Sequence, residues 1–173
     1  MISPIPLFRS RALPRLPALA LAAALLGAAL PATAEDIGRS RGQTLYLPIY
    51  SHLWHGNRDK AGNPEMSLLS ALVSIRNTDP RTPIRVTSAR YYDTAGRLIQ
   101  EYLATPRVIP PLGTLELFVE RKETAGGSGA NFLIRWQSEG NGTANAPLVE
   151  AVHVDMYGTR AISFTTNARA IQD

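Results

Sequence analysis

Between Thr44 and Trp54 the chain changes character at every second residue. Leu45, Leu47, Ile49 and Leu53 share one parity, with Ser51 between them; Tyr46, Pro48, Tyr50, His52 and Trp54 share the other. Successive strand side chains point to opposite faces, so this run predicts one strand with an aliphatic core face and an aromatic outer face. Pro48 has no N–H to give to a ladder, which places it on an edge strand or opposite a gap in the pairing. A two-residue period fits a half-buried sheet and not an amphipathic helix.

The same period returns along the chain. Leu69, Ala71, Val73 and Ile75 form an inward set that ends at Asn77-Thr78-Asp79-Pro80, where proline and the turn-forming residues stop a strand. From Ile84 to Tyr92 the parity slips from Ile84 and Val86 to Ala89 and Tyr91, which predicts a β-bulge near Thr87-Ser88. Asp93-Thr94-Ala95-Gly96 suits a type I turn with a bulge, leading to a hairpin partner over Leu98 to Leu103. Pro106, Pro110 and Pro111 mark a crossover. Leu115, Leu117 and Val119, then Phe132, Ile134 and Trp136, supply two more alternating sets. In Val149 to Met156 the inward set is read as Val152, Val154 and Met156, which leaves His153 and Asp155 on a polar face; a last strand surrounds Ala161 to Thr166. The sum is an all-β chain: an antiparallel β-sandwich of about eight strands, immunoglobulin-like or Greek-key, with a closed barrel as the alternative.

The first 34 residues are set apart from this pattern. Arg9, Arg11 and Arg15 precede the small apolar run Ala18 to Leu30, Pro31 breaks it, and Ala32-Thr33-Ala34 offers a small-x-small cleavage site. That order predicts a secretory signal peptide cut after Ala34, with residues 35–173 as a single periplasmic or secreted domain. The apolar run is shorter than the roughly 20 residues a spanning helix needs, so no transmembrane segment is expected in the mature chain. The chain carries 18 Lys+Arg against 14 Asp+Glu. Three of those arginines and none of the acids lie in the leader, which leaves 15 against 14. A near-neutral domain lacks the basic field of a nucleic-acid binder. The absence of Cys removes disulfides, thiolate metal sites and cysteine nucleophiles.

Four segments, GQTLYLPIYSHLWHG, SIRNTD, RYYDTAGRLIQEYL and GGSGANFLIRW, resemble an exported bacterial family of unknown function, domain of unknown function 3124. The resemblance implies an exported, sandwich-like single domain and carries no catalytic residue with it.

Three places are candidate sites. His52 and His55 would hold zinc or copper if the chain turned between them and a third ligand came from Asp59, Glu65, His153 or Asp155. The alternative is that His52 stacks among the tyrosines and His55 caps a turn. Gly127, Ser128, Gly129 and Asn131 form a loop whose N–H groups would cradle an anion or small ligand, or which simply links two strands. It is no nucleophile elbow, because a strand and not a helix follows. Tyr46, Tyr50 and Trp54 form an aromatic row suited to a protein partner. His153 with Asp155 would orient a proton acceptor, but no activated serine accompanies them. Asn141-Gly142-Thr143 matches a glycosylation sequon, idle in a bacterial setting. The leading expectation is a non-enzymatic exported module that binds or assists another cell-envelope component, a protein or a small ligand, with no cofactor. The alternative is a zinc- or copper-binding protein or metal-dependent enzyme built on His52 and His55.

Overall fold

The computed structural model describes residues 38–172. The expected leader and cleavage site, residues 1–34, therefore lie outside the described residues. Fourteen strands are described, more than the eight expected, because the long runs are divided and short ribbons are added.

Two sheets face each other. In the first, β2 (Gly42–Ile49) and β6 (Ile84–Tyr92) flank β10 (Ala130–Ser138), all antiparallel. The register sets Leu47, Phe132 and Tyr91 in one row and Leu45, Ile134 and Ala89 in the next. All six are buried. β7 (Leu98–Glu101) and β8 (Arg107–Ile109) both pair with β6, and β14 (Arg169–Ile171) pairs with β2. The second sheet runs β13 (Arg160–Asn167), β12 (Leu148–Tyr157), β5 (Ser70–Arg76), β9 (Thr114–Val119). Here Leu117, Val73 and Ala151 form one inward row. Each large aliphatic or aromatic side chain between the sheets contributes roughly 1.5–3 kcal/mol by leaving water.

The centre interlocks as in an immunoglobulin domain: of the four central strands β5, β6, β9 and β10, in chain order, β5 pairs with β9 and β6 with β10. The outer strands are exchanged relative to that fold. β2 flanks β10, and β12 flanks β5.

Two ribbons close the ends. β1 (Arg39–Ser40) pairs with β11 (Ala144–Asn145) at one end. Asp79 fastens that end: its Oδ1 accepts the Arg81 and Thr82 N–H groups at 2.9 Å each, and its Oδ2 accepts the Asn145 N–H and the Arg39 guanidinium at 3.0 Å. These donors hold the Asp79 carboxyl well below the usual carboxylate range. The other ribbon, β3 (His52–His55) with β4 (Glu65–Leu68), frames the groove described below.

The parity slip in β6 is a bulge. Trp136 faces Val86 and Arg135 faces Ser88, so Thr87 is the extra residue. The turn after β6 closes as expected, with Gly96 at φ +76°, Asp93 N–H donating to Arg97 O at 2.9 Å, and Asp93 Oδ1 accepting the Ala95 and Arg97 N–H groups.

Two expectations are corrected. The run from Thr44 to Trp54 is not one strand: β2 ends at Ile49, and its continuation leaves the sheet to pair with β4. Ser51 makes the break. Its N–H donates to Gly127 O at 3.0 Å and its carbonyl accepts the Leu69 N–H at 2.8 Å, which exchanges β10 for β4 as ladder partner. Pro48, by contrast, does fall opposite a gap in the pairing. β14 covers β2 from Thr44 to Tyr46, and Pro48 lies past that pairing, where the Thr166 hydroxyl donates to its carbonyl at 2.7 Å.

The second correction is the face of β12. Val149, Ala151 and His153 point inward and are buried, whereas Val152, Val154 and Met156 point outward. The outer face of this sheet carries one apolar cross-strand row, Phe118, Leu72 and Val152, beside a polar row of Glu116, Ser74 and Glu150. The oilier parity of β12 thus faces away from the core.

Candidate functional site: the groove beside Trp54

β4 runs through Leu69 into β5, so the β3–β4 ribbon is an upstream extension of a core strand. Beyond its far end, at residues 59–63, Asp59 Oδ1 accepts the Ala61 and Asn63 N–H groups at 2.8 and 2.9 Å. The base of the ribbon is anchored through Tyr50. The Tyr50 ring meets Phe164 edge-on at 5.5 Å and His153 at 5.7 Å.

A groove of about 630 Å³ is lined by the ribbon, Arg121, and the distal parts of β12 and β13. Leu53, Trp54, Met66 and Leu68 supply its apolar wall, and Ile162 and Asp155 contribute from β13 and β12. Trp54 is 52% exposed and Met66, its cross-strand partner, 50%. Arg121 reaches in after β9: its Nε donates to Leu68 O at 3.3 Å, and its Nη2 lies 3.0 Å from Asp155 Oδ1, a charge contact rather than an aligned hydrogen bond. A second depression, near Tyr102 and Phe118, is rimmed by Glu120, Lys122 and Glu123 and is the more polar of the two.

The predicted site residues are distributed as follows. Tyr46 lies on the outer face of the first sheet between Arg169 and Leu133, Tyr50 packs at the ribbon base, and Trp54 stands in the groove; the three do not form one row. His52 and His55 leave β3 on opposite faces, as residues three apart in a strand must. The His52 ring is buried and meets the Trp54 indole edge-on at 4.7 Å, and neither of its nitrogens has a hydrogen-bond partner. His55 lies in the groove wall, with Nε2 3.0 Å from Ser67 Oγ and Nδ1 3.7 Å from Glu65. Among the described residues no three His, Asp or Glu side chains gather as a ligand set.

The glycine loop is stitched down. Gly126 O accepts from Thr94 N–H at 2.9 Å and Thr94 Oγ1 at 3.0 Å, Gly127 O accepts from Ser51 N–H and Oγ, and Gly129 N–H donates to Thr94 Oγ1 at 3.0 Å. A Cβ on Gly126 would fall on the Tyr91 hydroxyl and 2.7 Å from Ser51 Oγ. The glycines are therefore explained by close approach. Ser128 follows within the same loop, and Asn131 sits in β10 opposite Pro48 and Tyr92.

His153 is fully buried, stacked on Phe164 at 4.6 Å and 4° between planes, and its Nε2 accepts the Tyr50 N–H at 3.1 Å. Burial lowers its pKa to about 4, with backbone groups of Ala151 and Phe164 offsetting part of the shift. It is a packed core histidine in its neutral form. Asp155 is engaged by Arg121.

Sequence reasoning selected Trp54 and His55, named Asp155 only as a metal-ligand or proton-relay candidate, and missed Arg121, Met66 and Ile162. No spacing signals that set, because it is assembled from four separate strands or loops.

A family model described as "Protein of unknown function (DUF3124)" matches residues 42–171. The chain belongs to this family. The DUF3124 match covers every strand of both main sheets and both walls of the groove. No match was found among the curated proteins. A solved structure, "Crystal Structure of Thermotoga maritima 1070", aligns over 73% of this chain and 92% of that chain at 12% identity, with a TM-score of 0.40. No helix of the described residues is long and apolar enough to cross a membrane.

Proposed function

We propose that this DUF3124 domain is a non-catalytic binding module of the cell envelope, and that it receives its partner in the groove beside Trp54. The observation that carries this reading is the pairing of two half-exposed large apolar side chains, Trp54 and Met66, across a ribbon beside a cavity of about 630 Å³. Exposed Trp and Met at a concave site are the side chains that supply contact area and adapt to a partner's shape. The envelope setting comes from the leader pattern in the first 34 residues. The two titratable groups that would be paired for acid–base work are otherwise occupied: His153 is sealed in the core and Asp155 is engaged by Arg121.

The experiment compares the wild-type chain with a Trp54→Ala, Ile162→Glu variant in the producing cell. Envelope fractions are cross-linked and sized. The reading requires a discrete larger complex with the wild type and its loss in the variant, with both chains melting cooperatively. A complex of equal yield from both chains overturns it.

A further inference from the structure

We propose that the occupant of this groove is an extended, uncharged, apolar peptide segment that adds as a strand, rather than an ion, a fatty acid or a charged peptide. This rests on the groove being the binding surface. It adds the chemical class of the ligand.

The charge balance of the walls makes the first argument. Among the described residues lining the cavity, Arg121 carries a permanent positive charge, and Asp155 stands against it at 3.0 Å while Leu68 O takes its Nε–H. His55, the other basic group, has Glu65 and Ser67 beside it. Each of these two basic side chains thus has a negative or accepting neighbour beside it. A ligand carboxylate or phosphate would compete with Asp155 for Arg121, and a ligand ammonium with Arg121 for Asp155. Taking either charge into the groove costs desolvation with no unmatched partner to offset it. An uncharged ligand avoids that cost.

Open strand edges make the second argument. Among the described residues β3 pairs with β4 alone and β13 pairs with β12 alone. Both strands contribute to the groove, β3 through Leu53 to His55 and β13 through Ile162. A free strand edge presents unpaired N–H and C=O groups, and an extended peptide satisfies them by strand addition. A lipid chain has no groups with which to do so.

Shape makes the third. Trp54 and Met66 are about half exposed, so the groove is a trough rather than a tunnel. A strand fits a trough because alternate side chains enter it while the others remain in water. An acyl chain would keep one side wet along its whole length.

The test uses the full chain and the emission of Trp54, since the other tryptophan, Trp136, is buried in the core. Four probes are titrated: a blocked peptide of about six residues alternating valine and threonine, the same peptide with its central amides N-methylated, the same peptide with glutamates in place of the threonines, and dodecanoate. The expected result is a saturable blue shift with the first probe. Affinity should fall by about tenfold or more with the N-methylated and glutamate peptides, which corresponds to at least about 1.4 kcal/mol. A Met66→Glu variant, checked for unchanged melting, should lose the response to the first probe. Equal or tighter binding of dodecanoate or the glutamate peptide overturns the ligand class and leaves the groove standing. Equal binding of the N-methylated peptide overturns strand addition. No response to the first probe overturns the inference, and the groove itself is then judged by the cross-linking result of the preceding experiment.

Discussion

The Tyr50 N–H donates to Nε2 of His153 at 3.1 Å, which ties the corner where β2 becomes β3 to the buried middle of the hairpin across the sandwich. The bond requires a neutral imidazole, because a protonated Nε2 cannot accept. The corner that carries the ribbon is therefore fastened by a group that titrates.

The first prediction follows from that bond. The folded pKa of His153 is lowered to about 4 from 6.5. Between those values the unfolded chain binds the proton and the folded one does not, so stability falls as pH drops from about 6.5 to about 4 and this group adds nothing further below that. The loss is at most about 3 kcal/mol. His153→Gln keeps an acceptor and cannot titrate, so its urea midpoint should lack this slope even if it is lower throughout. An identical slope in the variant would contradict the assignment.

At lower pH a different group takes over. Asp79 is held far below the usual carboxylate range by the N–H groups of Arg81, Thr82 and Asn145. A depressed carboxyl contributes stability that is present above about pH 3.8 and lost as pH falls through the folded value. Asp79→Asn should lower the urea midpoint at pH 7 and flatten the acid limb of the stability profile. An unchanged profile would show that the clasp on β1 and β11 carries no weight.

Gly126 has no room for a methyl group. Gly126→Ala should destabilise the fold by about 1–3 kcal/mol through the Tyr91 and Ser51 hydroxyls it would displace. Ser128→Ala, in the same loop, should stay within about 0.5 kcal/mol of the wild type. Urea denaturation of both variants separates a packed loop from an open one, in which the two changes would be alike.

Thr87 is the surplus residue of a bulge, opposite the step between Arg135 and Trp136. Deleting it closes the ladder while leaving Val86 and Ala89 on the core face. Deleting Arg90 instead reverses the face of Tyr91. The first deletion should leave a cooperative melt and the second should abolish it. Near-ultraviolet circular dichroism reads the difference through the buried aromatics.

That bulge was legible in the sequence, since the parity slip between Val86 and Ala89 has no other cause in a strand. So was the turn at Asp93 to Gly96, where each residue type suits its place. β12 was misread because its outward residues, Val152, Val154 and Met156, are oilier than the inward Ala151 and His153. A strand whose outward parity is the oilier one defeats any rule that takes the oilier parity as the core. The break at Ser51 left no sign either, since a serine in a strand is ordinary and only its bonds to Gly127 and Leu69 reveal a change of partner. Trp54 stood out by itself, but the Arg121–Asp155 pair beside it arises from a register between distant strands that no local spacing encodes.

Entry of partners beside Trp54 is the proposal on which the functional reading rests. A photo-reactive amino acid placed at Met66, in the groove wall, and separately at Arg90, on the outer face of the first sheet, tests it in intact producing cells. The expected result is a discrete protein adduct from position 66 that disappears with Trp54→Ala, and none from position 90. Adducts of equal yield from both positions, or none from position 66, would contradict it.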